Sequence, residues 1–266
     1  MRTHILGCAV DNLSMAETLD RIAEFVGSGH AHQHVAVNAD KVVKASRDSG
    51  LRDIINRCDL INADGMPVVW ASKLLGAPLK ERVTGVDLFE RLIERAALEG
   101  WSVFLLGARE HVVRRAADVL QHRHPALRIA GVRNGYWSDA ETVDVLATIH
   151  EAKPQLLFVA ISSPRKERFL ALCQGAVGVP FAMGVGGTFD IVAGATRRAP
   201  RWMQNSGLEW FFRFLQEPRR MFRRYFVEDM HFFVLLGREL WRRRRGLHEV
   251  PQEPVAVAEQ VGGVRQ

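Results

Sequence analysis

Cysteine is scarce in this sequence. Cys8, Cys58 and Cys173 are scattered, odd in number and never form a C-x-x-C pair, which argues against a disulfide framework or a zinc ribbon and fits a reducing cytosol. The opening MRTHILGCAV lacks the apolar core and small-residue cleavage site of a signal peptide. No G-x-x-x-x-G-K-[ST] phosphate loop occurs. GVGGTFD stops short of a dinucleotide fingerprint, because Phe189 stands where the third glycine belongs. With no D-x-D there is no obvious carboxylate pair for a nucleotide-bound divalent cation, so neither a metal nor a cofactor is expected. There is no G-x-S-x-G elbow either. The one long uncharged run, Phe169 to Phe189, has the length of a membrane span, but five glycines and Pro180 interrupt it. It reads as a helix end, a turn, a buried strand and a glycine loop.

What is present is unevenly charged. From Arg197 to Arg245 there are 13 arginines, no lysine and five acids, a net +8 in a chain whose total is +6. The basicity therefore belongs to one C-terminal region and points to an anionic partner there. Arginine alone favours phosphate, whose oxygens its planar fork binds in pairs. Trp202, Trp210, Phe211, Phe214, Phe222, Phe226 and Trp241 interleave with the arginines, the composition of an element lying on an anionic membrane surface. No nucleic-acid-binding motif accompanies them.

Upstream, short apolar runs alternate with amphipathic stretches. HILGCAV, HVAVN (34–38), CDLINAD (58–64), SVFLLG (102–107), RIAGV, LLFVAIS (156–162) and PFAMGVG (180–186) read as strands. Helices are predicted from a Ser14–Glu17 capping box to about Val26, from Asp40, after Gly65, and over Gly85–Leu98, His111–His122 and Asp139–Ala152. Buried strands alternating with helices imply an α/β fold, a Rossmann-like parallel sheet covered on both faces. The expected organisation is an α/β core over 1–200, an Arg- and aromatic-rich helical appendage over 201–245, and a disordered tail over 246–266. Deleting 201–266 is expected to leave a folded core that no longer binds vesicles.

Ligands of such sheets bind at the carboxyl ends of the strands, and polar or glycine clusters follow strand after strand. Asp64 ends the third predicted strand and reads either as a general base or as the cap of the next helix. Gly184, Gly186 and Gly187 allow close backbone approach to a ligand or simply make a tight turn. Ser163, Lys166 and Glu167 lie in SSPRKE, where a helix start could bind phosphate or be a plain cap with proline at its first position. His30, His32 and His34 would share one face of a strand; a solvated loop there is favoured over a metal site.

The ordered set NADGMPVVW, RVTGVDL, LLGARE, NGYW, SSPRKE and MGVGGTFDIVAGATRRAPRWMQNSGLEWFFRFLQEPRRMFRRY resembles the WecG/TagA/CpsF family of bacterial glycosyltransferases over roughly residues 3 to 230. The resemblance implies an inverting, metal-independent hexosyltransferase in cell-surface polysaccharide synthesis. Its donor would be a UDP-sugar of the N-acetylmannosamine or uronic acid type, and its acceptor a polyprenyl-diphosphate-linked saccharide. Asp64 matches the family's proposed base, Asn38 a donor-pocket asparagine, and Arg82 an arginine for the diphosphate. Asn134, Gly135 and Tyr136 of NGYW join the donor set. Arg213, Arg220, Arg223 and Arg224 resemble an appendage that meets the lipid diphosphate at the inner membrane face. The chain departs from the family at Lys166, where glutamine is usual, and at Ala36, where threonine is frequent. Lys166 adds a positive charge that would favour an acidic donor. The competing expectations are a nucleotide-sugar epimerase, an inactive membrane scaffold and a nucleic-acid-binding protein; a homo-oligomer stays open.

Overall fold

A computed structural model describes residues 2–245, with the side chains of Asn205, Arg220, Arg223, Arg224 and Val227 outside that description. The tail expected to be disordered, 246–266, also lies outside it. The predicted α/β architecture is present. Six parallel strands form one sheet in the order β4-β3-β8-β7-β5-β6, where β3 is His32–Val37, β4 Leu60–Ala63, β5 Ser102–Gly107, β6 Arg128–Arg133, β7 Leu156–Ala160 and β8 Phe181–Gly184.

Side chains alternate across this sheet with period two, and both faces are covered. Leu156 and Phe158 of β7 pack with α1 (Met15–Gly27), α5 (Gly85–Glu99), α6 (Glu110–Arg123) and α9 (Thr188–Val192). Leu157 and Val159 face the opposite layer, with α7 (Thr142–Ala152) and α8 (Arg165–Ala176). Val35, Val37, Ile61 and Ala63 extend that second layer over α2 (Ala39–Arg47), α3 (Ser49–Arg57) and α4 (Met66–Leu74).

Four local readings are corrected. HILGCAV is not one strand but most of a hairpin, β1 (Arg2–Ile5) and β2 (Cys8–Asp11), paired antiparallel. Leu6 and Gly7 both take positive φ, 51° and 85°, as a tight two-residue hairpin turn requires. The hairpin shields the sheet edge, because Asp11 accepts a hydrogen bond from the Ile61 amide of β4 (2.8 Å). The helix from Asp40 is two helices, divided where Asp48 ends α2 and caps α3 through the Leu51 amide (2.9 Å). The helix at Asp139 begins as a 3-10 turn over Asp139–Glu141. Finally, β3 starts at His32, two residues before the expected start, so His32 lies within the strand rather than in a solvated loop before it.

The histidines of β3 are separately engaged. His32 stacks on Phe25 and lies 3.4 Å from Asp59. His34 is fully buried, with Nε2 3.0 Å from Asn62 Oδ1. The Asn62 amide nitrogen is committed to Thr18 Oγ1 (3.1 Å), so its oxygen accepts and His34 is the Nε2–H tautomer. Burial pushes the His34 pKa down to about 3, opposed by the Asn62 hydrogen bond. Among the described residues, no group of three or more His, Cys, Asp or Glu is placed to hold a metal ion.

The C-terminal region is helical: α10 (Arg201–Asn205), α11 (Glu209–Gln216), α12 (Pro218–Arg223), a π turn (Arg224–Glu228) and α13 (Met230–Arg244). Pro218 opens α12, where its missing N–H costs nothing. No described helix is long and apolar enough to cross a membrane. Phe232 and Leu236 of α13 are buried within the layer formed by α2, α3 and α4, and Arg243 donates to the Leu75 carbonyl. A deletion from residue 201 would strip these side chains from the core, so the expectation of an intact core after that cut gives way. Phe232→Ala should itself cost about 3–5 kcal/mol, the usual range for a buried phenylalanine. Chemical denaturation would measure it; a loss under ~1 kcal/mol would mean that α13 contributes little.

Candidate active site

The strand order places a topological switch between β5 and β7. The chain leaves β5 towards β6 and leaves β7 towards β8, so the loops part above the carboxyl ends. Gly107 makes this crossing tight: it takes φ +133°, and a Cβ there would sit 2.7 Å from Ala160 Cα. Gly135 closes the same corner, with its amide donating to Ala108 O (2.8 Å) and no room for a side chain beside Ile161. Its neighbours point elsewhere: Asn134 donates to Glu110 (2.9 Å) and Tyr136 is largely exposed. This group lies by β6, at the sheet edge opposite β4.

Asp64 follows β4 directly, and its amide donates to Val37 O (2.7 Å), prolonging the pairing with β3. Gly65 takes φ +119° and starts α4 without any side-chain cap. Asp64 is therefore not the cap of that helix, and no described side chain donates a hydrogen bond to its carboxylate. Burial pushes its pKa up, which suits a proton acceptor. Arg213, Lys41 and Arg82 pull the other way, and Glu209 adds to the rise.

Asn38 ends β3 on the neighbouring strand and caps α2, accepting from the Lys41 amide (3.0 Å). Lys41 runs inward from that first turn. Its Nζ donates to Ala36 O (2.7 Å) and lies 3.0 Å from Glu167 Oε1. Lys166 Nζ is 3.7 Å from the same oxygen. All three side chains are buried. The Glu167 carboxyl is held down to about 2: burial is the largest influence and opposes this, and the two ammoniums outweigh it. Burial and Lys41 together bring Lys166 down to about 8. The Lys166 stem occupies the space over Gly184, where a Cβ would come within 2.8 Å of it. Gly186 and Gly187 have open space above them. Ser163 lies beside Glu167 and α8 has no side-chain cap, so the plain-cap reading of SSPRKE does not hold.

On the other flank, the C-terminal helices close onto the core beside Asp64. Arg82 donates to Gln204 O (3.1 Å) and lies 4.0 Å from Glu209. Arg198 pairs with Asp87 (2.7 Å) and approaches Glu209 (3.9 Å). Glu209 also accepts from Arg213 (3.1 Å). A Cβ at Gly207 would strike Met66 of α4 (2.8 Å), so the turn between α10 and α11 rests directly on the helix after Asp64. The structure thus groups Asn38, Asp64, Arg82, Lys166, Glu167, Gly184 and Arg213 around the ends of β3, β4 and β8. Arg220, Arg223 and Arg224 fall among the undescribed side chains.

The model of the glycosyl transferase WecG/TagA/CpsF family matches residues 3–246 of this sequence. The chain belongs to that family. It is a glycosyltransferase of cell-surface polysaccharide biosynthesis, and a sugar donor and an acceptor are its substrates. Within this transferase, sequence reasoning overlooked Lys41, Arg198, Gln204 and Glu209. Lys41 carried one local signal, a lysine one turn after Asn38 in the apolar stripe of α2. The others lie inside the long motif ending at Tyr225, but their pairing had no local signal, because the Arg82–Gln204 contact spans 122 residues of chain.

Proposed function

We propose that the transferase moves a sugar from a UDP-sugar onto a polyprenyl-diphosphate-linked saccharide, with inversion and without a metal. Asp64 is the general base. It takes the proton of the acceptor hydroxyl as that oxygen bonds to the anomeric carbon and the bond to the UDP oxygen breaks. The observation that carries this reading is the carboxylate itself, uncapped at the end of β4 and flanked by Arg82, Arg213 and Lys41. Arginines and loop amides would stabilise the charge that grows on the departing diphosphate, the service a metal performs elsewhere. Asn38, Ser163, Lys166, Glu167 and the glycines 184, 186 and 187 form the donor side; the NGYW group would contribute from beyond β5.

The C-terminal helices supply the acceptor side. Trp202, Trp210, Phe211, Phe222, Phe226 and Trp241 are all substantially exposed amid arginines, a surface suited to reversible docking on an anionic bilayer at the inner membrane face.

The test is UDP release from a panel of neutral and uronic UDP-sugars, with and without a polyprenyl-diphosphate saccharide. Acceptor-dependent release from one donor, unchanged by EDTA, is expected. Release that EDTA abolishes would remove metal independence. A folded protein silent across the panel would count against the proposed substrate pair.

A further inference from the structure

Lys41 belongs to no sequence motif singled out above and sits beneath the candidate site. We propose that Lys41 is a positioning residue: its buried ammonium ties the end of β3 to Glu167 of α8 and supplies the surplus positive charge that keeps Asp64 in its proton-accepting form. This rests on the reading of Asp64 as the base.

The geometry is compact. Asp64 is bonded through its amide to Val37, the residue before Asn38. Asn38 caps α2 on the Lys41 amide. Asp64 and Lys41 are therefore fixed on either side of one strand-to-helix junction, which leaves the lysine little freedom to move away. Nζ is held from two further directions, by Ala36 O at 2.7 Å and by Glu167 at 3.0 Å.

Charge counting then decides the direction. The cluster holds two ammoniums, Lys41 and Lys166, around one carboxylate. Glu167 stays ionised and Lys166 stays protonated through the acidic and neutral range. The cluster is thus net +1 in a poorly solvated setting, where charges act at full reach. The other charged groups acting on Asp64 are Lys166, from α8, Arg82, from the loop before α5, and Arg213 with Glu209, from α11. Glu209 opposes ionisation of Asp64 and engages Arg213, offsetting part of what that arginine supplies. A pure tie between β3 and α8 would need only a neutral pair; the excess cation is what reaches Asp64.

The experiment is a carbon-13 NMR titration of the aspartate carboxyls, with Asp64 assigned by the peak lost in Asp64→Asn. Its readout does not depend on turnover. Lys41→Met should raise the Asp64 midpoint by about half a pH unit or more. Because Lys41→Met orphans a buried carboxylate and could unfold the protein, the comparison is repeated without that carboxylate: Lys41→Met/Glu167→Gln should titrate above Glu167→Gln alone. An Asp64 midpoint unmoved by removing Lys41 in the folded variants would overturn the proposal while leaving Asp64 free to be the base. Full activity in Asp64→Asn would overturn the base assignment instead, and the titration would still report whether the charges couple.

Discussion

Asp64→Asn is expected to reduce acceptor-dependent sugar transfer by about 10²–10⁴-fold, the range a positioned general base contributes. Asparagine keeps the size of the side chain and removes the proton acceptor, so the loss should fall on kcat. Donor affinity should hold, because the proposed donor contacts come from β3, α8 and the glycine loop. Stability should hold or rise: burial disfavours the Asp64 charge, and no described side chain donates a hydrogen bond to it. The pH profile gives a second reading. The base must be ionised to act, so the wild-type rate should fall as pH drops through a midpoint above the ordinary aspartate range. That limb should disappear in Asp64→Asn. Steady-state UDP release across pH, paired with a melting curve, measures both. Activity within tenfold of wild type would remove Asp64 from the chemistry.

Gly107→Ala should produce the largest loss of stability from a single added methyl. Its Cβ would meet the backbone of Ala160 on the adjacent strand, 2.7 Å from Cα, and no rotamer change can relieve a backbone contact. The φ of +133° adds strain for any L side chain. Overpacking and strain together suggest about 3–6 kcal/mol, or a melting point lower by roughly 10 °C or more. Gly186→Ala is the control. It also has positive φ, but open space surrounds it, so only the left-handed penalty of about 1–2 kcal/mol applies. Equal losses in the two variants would mean that β5 and β7 can part at the switch point without cost.

The strands were legible wherever burial on both faces wrote a continuous apolar run, as in SVFLLG and LLFVA. Helix limits were legible where a cap marked them, as at Ser14. The hairpin escaped because Leu6 carries no turn preference, and only its pairing with Gly7 permits the tight reversal. His32 was left outside the strand because a polar residue at a strand start resembles a loop until distant groups engage it, here Phe25 and Asp59. For the candidate site, Asp64 and Lys166 were legible beside predicted strand ends, whereas Asn38 and Arg82 were singled out by the family resemblance. Which cation faces which anion was not legible. Arg82 and Glu209, or Lys41 and Glu167, meet only after the sheet has brought distant segments together.

The neutral, buried His34 also makes folding a proton-release reaction. In an unfolded chain this imidazole takes up a proton near pH 6.5. In the native protein it does so only near 3. Above about 6.5 both forms are unprotonated, and the interior imidazole carries no acid penalty. Between the two values the unfolded chain holds one proton more, and each pH unit of acidification erodes native stability by about 1.4 kcal/mol from this side chain. The hydrogen-bonded chain from His34 through Asn62 to Thr18, which joins β3, β4 and α1 at neutral pH, thereby doubles as an acid fuse set well above the titration range of ordinary carboxylates.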